Sequence, residues 1–191
     1  VVQHEGEDVI AEIVAKRQTG VVTAGRINNI DNLFPDRSQE YRYHYQIDGL
    51  PATTMLSSRG CPYACAFCSK DVWGRVYTAR SVGSTLKEVD EVIEAGYRAI
   101  MFYDDTLMIG ADRLKGLCAG LQERGILWRG FARSDQVTDT NLQMMYDAGC
   151  REIGVGVESG SPQILKNINK GDTVEDHRRC IALAHKAGLR V

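Results

Sequence analysis

The sequence predicts an α/β fold built from parallel β-α repeats. From Thr53 onward one unit recurs: an amphipathic helix, a glycine just past its end, then a short apolar run. The glycines are Gly96, Gly125, Gly149 and Gly188, each at the position where the left-handed conformation closes a helix. The apolar runs, such as Ala99-Ile100-Met101-Phe102, are nearly continuous, which suits strands buried on both faces. Strands that alternate with helices of this length imply parallel β-α units. Such units close into a barrel or spread into an open doubly wound sheet, and periodicity does not separate the two. No Gly-x-Gly-x-x-Gly turn follows the first strand, which counts against a dinucleotide-binding sheet.

Each element follows from local signals. Val1-Val2, then His4-Glu5-Gly6-Glu7-Asp8 and a helical pattern at Val9, Ile10, Ile13 and Val14, read as the closing strand, loop and helix of an open α/β domain over residues 1–20. Residues 21–52 are poorly periodic and carry Gly, Asn, Asp and Pro, so they read as a connector. Within them Tyr41, Tyr43 and Tyr45 alternate like an edge strand. Thr53 to Ser57 reads as the first strand of a core domain over 53–191. Ser81 is a natural N-cap for a helix over about 82–95, with Leu86, Val89, Val92 and Ile93 on one face. A strand at 99–103 follows and ends in Asp104-Asp105. The second helix, about 111–124, turns Leu114, Leu117, Cys118 and Leu121 inward, and a strand at 126–133 follows Gly125. Thr138 opens a third helix with Leu142, Met145 and Tyr146 inward, then comes a strand at 152–157 ending in Glu158-Ser159-Gly160-Ser161. A helical turn near 162–168 precedes a helix from Thr173, where Thr-Val-Glu-Asp resembles a capping box. Gly188 closes it, and a fifth strand begins. With no initiator Met and a strand just starting at its end, the chain is expected to be cut from something longer.

Composition narrows the function. The chain has 191 residues, 43% hydrophobic and 25% charged, ordinary for one globular domain. A net charge of −2 offers no electrostatic case for nucleic acid, and no apolar run is long enough to span a membrane. Three of the six cysteines are clustered and no secretory segment precedes them, so the expected compartment is reducing and cytoplasmic. Cys118, Cys150 and Cys180 are scattered in or beside helices and read as small buried hydrophobes.

The clustered three, Cys61, Cys65 and Cys68, lie in Ser57-Ser58-Arg59-Gly60-Cys61-Pro62-Tyr63-Ala64-Cys65-Ala66-Phe67-Cys68 as C-x3-C-x2-C. Thiolates are soft ligands for iron or zinc. Sealed clusters and all-cysteine zinc sites want four protein ligands. A loop that supplies three leaves one iron of a [4Fe-4S] cluster open to another molecule. With Gly-Cys-Pro in front, an aromatic before the last cysteine, and β-α units behind, the stretch resembles the cluster loop of the radical S-adenosylmethionine (SAM) superfamily. The resemblance covers about 53–191 and is best at 57–68, 102–106 and 154–161. It implies a partial (β/α)6 TIM-like barrel, here truncated after about four units. The Val-Val-x-x-Glu-Gly-Glu stretch is similar to the end of the cobalamin domain in the cobalamin-binding branch. That domain's Asp-x-His-x-x-Gly motif is absent from the sequence, and the resemblance would place it upstream of residue 1.

In any parallel α/β fold the residues that follow the strands gather on one face. The cysteine loop, Asp104 and Asp105, Arg133, and Glu158, Ser159 and Gly160 therefore converge. Such groups suit a zwitterionic nucleoside: carboxylates accept from an amino group or ribose, and arginine grips a carboxylate. The resemblance goes further. It implies that SAM's methionine end chelates the open iron and that the Asp104-Asp105 region, here Tyr-Asp-Asp-Thr, stands where the superfamily holds the amino group. Glu158 matches the position for the ribose or amino end, Arg133 is a candidate for the SAM carboxylate, and Phe67 resembles the aromatic near adenine. Each has a plainer reading: an Asp capping the next helix, Arg133 pairing with Asp135, Glu158 favoured by a helix dipole. Lys170, Arg178 and Arg179 read as solvated surface charges.

The resemblance implies reductive cleavage of SAM to a hydrogen-abstracting 5′-deoxyadenosyl radical, a small-molecule substrate, and an external flavodoxin- or ferredoxin-type electron donor. Cobalamin-dependent methylation or ring chemistry is implied for that branch. Two alternatives stand beside it: a methylthiotransferase, which would carry a second cysteine triad that residues 1–60 lack, and a non-catalytic zinc or iron–sulfur module.

Overall fold

A computed structural model describes residues 1–37, 44–69 and 72–191. Tyr41 and Tyr43 fall outside these. Strand β1 (Val2–Gln3), helix α1 (Ile10–Ala15) and strand β2 (Val22–Thr23) form a small unit at the start, with β1 and β2 paired in parallel. Helix α1 buries none of its residues, and Ile10 and Val14 face solvent.

The main sheet comes next. Strand β3 (Gln46–Ile47) makes an antiparallel hairpin with β4 (Leu50–Met55), through Asp48 and Gly49 with positive φ. The first core strand thus begins at Leu50, ahead of the Thr53 that its apolar pattern marks. Strands β5 (Ser58–Arg59) and β6 (Thr78–Ala79) pair antiparallel and close a loop that carries the three cysteines. Then follow α2 (Val82–Glu94), β7 (Ala99–Phe102), α3 (Ala111–Arg124), β8 (Leu127–Ala132), α4 (Asp139–Asp147), β9 (Cys150–Val155), α5 (Pro162–Asn167) and α6 (Val174–Lys186). The five-stranded sheet has the order β3-β4-β7-β8-β9, and β4, β7, β8 and β9 run parallel. It curls into half of a TIM-like barrel. Arg190 bridges to Glu152 in parallel, where a further strand is expected to start.

The core lies between this sheet and its helices. Ile100, Phe102, Trp128 and Ile153 pack against Val89, Val92, Leu117, Leu121, Leu142 and Met145, all essentially inaccessible. Each such side chain stabilises by roughly 1.5–3 kcal/mol through burial. Phe102 meets Trp128 edge to face at 5.8 Å, and the indole donates to the Ala148 carbonyl at 2.8 Å. Ser81, Thr138 and Thr173 cap α2, α4 and α6, the latter two in reciprocal capping boxes. Gly149 shows why glycine recurs before the strands: its φ is 91°, and a Cβ there would lie 2.5 Å from the Ile126 carbonyl oxygen. Tyr146, expected inward, is partly exposed and lies against Gly188. Among the described residues no helix is long and apolar enough to cross a membrane.

The stretch 21–52, read as a connector, is fastened to the core. Ile27 and Ile30 are buried, Asp31 accepts from the Ser81 amide at 2.6 Å, and Arg37 pairs with the buried Glu88. Arg80 engages the same Glu88. The Asp31 and Arg37 contacts span about fifty residues of sequence, so nothing local announces them.

Candidate functional site

The cysteine loop stands at the end of β4 where the chain leaves the sheet. Its first shoulder, Ser57–Arg59, is tied down by Asp104, the residue two past the end of β7. The Asp104 carboxylate accepts from the Ser57 amide at 2.7 Å, the Ser57 hydroxyl at 2.6 Å and the Ser58 hydroxyl at 2.5 Å. Burial raises its pKa above the usual carboxylate value even though these bonds favour the charge. From α3, Arg113 donates to the Ser57 carbonyl at 2.8 Å and its hydroxyl at 2.9 Å. Gly60 has φ 79°, and any Cβ there would collide with the Val76 carbonyl, so the two shoulders of the loop approach at a place only glycine can occupy.

Of the three thiols, Cys61 is buried, Cys65 half-buried and Cys68 exposed; all are free. The centre of the loop rests on the segment after α5. The Ala66 amide donates to the Ile168 carbonyl at 2.8 Å, and Asn169 Nδ2 to the Ala64 carbonyl at 2.9 Å. Cys65 Sγ lies 3.9 Å from the Lys170 carbonyl and 3.8 Å from Arg133 Nη1. Arg133, just past β8, donates to that same carbonyl at 2.8 Å and grips Asp135 through two bonds at 3.0 and 3.1 Å. Burial opposes its charge, but the Asp135 pair prevails and raises the guanidinium pKa. The Tyr63 hydroxyl accepts from Gln136 Nε2 at 2.6 Å, and burial, then Asp135, push the phenol above its usual value.

The remaining candidates divide. Asp105 is exposed at the strand end, whereas Asp104 beside it is fully enclosed and aimed at the loop's base. Phe67 is 53% exposed. Glu158 takes φ 59° and reaches Lys170 Nζ at 3.4 Å, both beside the bare α-carbon of Gly156. The Ser159 hydroxyl accepts from the Ser161 amide at 3.1 Å. One reading needs correction. Lys170 is no surface charge: it is 7% exposed and its backbone floors the loop. Arg133 grips Asp135, the pairing that its plainer reading named, and also meets the Lys170 carbonyl and Cys65. Arg178 and Arg179 are exposed as expected.

Pattern reading missed a buried polar group behind Arg133. Ser134 Oγ lies 2.9 Å from Asp172 Oδ2 and 2.7 Å from His177 Nδ1, and Asp172 Oδ2 lies 3.9 Å from Arg133. Being enclosed, this trio supports the loop's floor and offers no nucleophile to solvent. It also missed the partners of Arg59, whose guanidinium binds Glu5 at 3.0 Å and Glu7 at 2.6 Å.

The donor set fits an iron–sulfur cluster in its chemistry: three unpaired thiols on one loop, with a guanidinium beside one sulfur. Among the described residues no three His, Cys, Asp or Glu side chains converge closely enough to hold a single metal ion. The loop is a donor set that bound metal would draw together.

Similarity to known proteins agrees. Residues 55–191 match the profile of the radical SAM superfamily. The chain is 30% identical over 168 residues to an uncharacterized methyltransferase of Pyrococcus horikoshii, covering 85% of this chain and 37% of the relative. It is 32% identical over 166 residues to the 4'-phospho-dehydrooxetanocin synthase of Priestia megaterium, covering 73% of this chain and 22% of that enzyme. Among solved structures it resembles OxsB, a cobalamin-dependent radical SAM enzyme seen with aqua-cobalamin and SAM, at a TM-score of 0.67 with 32% identity, over 73% of this chain and 23% of OxsB. The methyltransferase TsrM from Kitasatospora setae shares the fold at a TM-score of 0.65 and 20% identity, over 73% of this chain and 29% of TsrM. The chain spans little more than a third of the first relative and less than a quarter of the second. Its profile match, its half-barrel and its three-cysteine loop agree on one assignment: the chain belongs to the radical SAM superfamily.

Proposed function

We propose that this chain is the core of a radical SAM enzyme of the cobalamin-dependent kind, acting on a small molecule by methyl transfer or ring chemistry. The observation that carries the reading is the loop of three free thiols at the C-terminal end of a parallel half-barrel, pinned from beneath by Asp104 and from the side by Arg133. Cys61, Cys65 and Cys68 would hold a [4Fe-4S] cluster with SAM on its open iron. When bound, these supply one-electron cleavage of the sulfonium and the radical that takes hydrogen from substrate.

The chain's own part is to bind and orient. Asp105, Glu158 and Ser159 stand at strand ends and accept from amino or ribose groups. Phe67 offers a face to adenine. The Arg133 guanidinium beside Cys65 steadies the negative charge of a ligated sulfur. The cobalamin dependence of OxsB, 32% identical, supports cobalamin here, which an upstream domain would carry; the β1-α1-β2 unit, with its unburied helix, is the point where such a domain would continue. An external one-electron donor of the flavodoxin or ferredoxin type would reduce the cluster.

The test is electron paramagnetic resonance of the anaerobically reconstituted, reduced chain with and without SAM. A cubane [4Fe-4S]+ signal that changes on adding SAM, and is lost in Cys61→Ala, Cys65→Ala and Cys68→Ala, is the expected result. Full iron content in any of these variants, or stoichiometric zinc in place of iron, overturns it.

A further inference from the structure

The N-terminal unit and the cysteine loop share a buried carboxylate. Glu5 is only 2% exposed, yet it lies far from the main hydrophobic core in sequence and in packing. Its Oε2 accepts from the Ile27 amide at 2.5 Å and lies 3.5 Å from Arg26 Nε. Its Oε1 accepts from Arg59 at 3.0 Å. The other arm of Arg59 reaches Glu7 at 2.6 Å, and its guanidinium lies 4.7 Å from the Trp73 ring centre. Arg26 then crosses to the far shoulder. It donates to the Trp73 carbonyl at 2.8 Å, the Val76 carbonyl at 3.0 Å and the Thr78 hydroxyl at 2.9 Å, with the Arg59 carbonyl at 3.4 Å.

Arg59 and Gly60 immediately precede Cys61, and Trp73 to Thr78 lead the chain into β6 and on to α2. One arginine therefore ties both shoulders of the loop, and one carboxylate orients that arginine and its neighbour. A buried charge of this kind persists only where every partner is in place. The strands β5 and β6, two residues each, are too short to hold the loop alone.

We infer that Glu5, Arg26 and Arg59 are positioning residues that fix the mouth of the cysteine loop, so that the N-terminal unit sets the placement of Cys61. None is a catalytic residue, since none touches a cysteine sulfur. The inference rests on reading Cys61 to Cys68 as the cluster loop. It adds that the segment read as an upstream remnant and a linker is part of the cluster site.

The experiment compares the wild-type chain with Glu5→Gln, Arg26→Met and the double variant. Amide hydrogen exchange of the metal-free chain and the rate of iron release to a chelator from the reconstituted chain are both followed. Glu5→Gln should quicken exchange at residues 58–60 and 73–78 tenfold or more, leave α3 and α4 unchanged, and speed iron release at least tenfold. The double variant should be no worse than Arg26→Met alone, because both act through one unit. Should Glu5→Gln fail to fold, Glu7→Gln, which removes only the exposed arm, is expected to speed iron release two- to threefold. Faster exchange confined to residues 1–28, or unchanged iron release with an unchanged loop, overturns the inference. Should the wild-type chain take up no iron, the cluster reading falls, and exchange in the metal-free chain still decides the clasp.

Discussion

The guanidinium of Arg133 lies 3.8 Å from the centre of the Tyr63 ring, so a cation from the end of β8 covers an aromatic in the middle of the cysteine loop. The same guanidinium holds Asp135 and the Lys170 carbonyl. One side chain thus joins the loop to the end of β8 and to the segment after α5. Arg133→Met keeps the stem and removes these bonds, leaving the Lys170 carbonyl only the weak Cys65 thiol and taking both guanidinium bonds from Asp135. The expected cost is about 1–3 kcal/mol, read from urea unfolding, together with faster proteolysis inside 61–69. An unchanged midpoint would mean that the stack and the pairs contribute nothing net.

Gly60 admits no side chain. Gly60→Ala forces a Cβ against the Val76 carbonyl in a backbone with φ 79°. The strain of roughly 1–3 kcal/mol falls on the loop's mouth. Iron content after reconstitution should drop well below that of Gly160→Ala, a site with open space around its α-carbon. Equal iron in the two variants would contradict this.

The six thiols should separate by reactivity. Burial pushes Cys118 and Cys150 up to about 12 and Cys180 to about 11, so almost none of each is thiolate near neutrality. Brief treatment of the metal-free chain with iodoacetamide at about pH 8, a little below the free-thiol value, should label the exposed Cys68 first and these three last. Mass spectrometry of the peptides reads the order. Early labelling of Cys150 would mean that β9 opens far more readily than its packing implies.

Burial of Asp104 gives stability a pH dependence whose sign follows from its raised pKa. Its folded-state pKa is raised, so the folded chain holds this proton to higher pH than the unfolded chain does. Stability from this group is therefore greatest near and below the unfolded value of about 3.9, and is lost as pH rises through the folded value. Asp104→Asn removes the titration while keeping one acceptor for the Ser57 amide. The stability of the wild-type chain relative to this variant should fall as pH rises from about 4 toward neutrality. A relative gain over that range would reverse the assignment.

Much of this fold is legible in the sequence because its signals are local. Ser81, Thr138 and Thr173 cap within three residues, Gly125 and Gly149 end helices where they stand, and the apolar faces follow from helical spacing. The candidate site is less legible: the paired Asp104 and Asp105 look alike in sequence and differ wholly in burial. Glu5 meets Arg59 across 54 residues and Cys65 meets Lys170 across 105, and no periodicity encodes such pairs. Lys170 reads as surface because its importance lies in its carbonyl, a group every residue carries.

That span of 105 residues between Cys65 and Lys170 also orders events in time. A ribosome adding roughly 5–20 residues per second makes Cys65 about 5–20 s before the floor it will rest on. For that interval the three thiols ride on a nascent strand with nothing beneath them. Iron loading guided by the finished floor thus waits until Lys170 has been made, and until then the bare loop is open to oxidation.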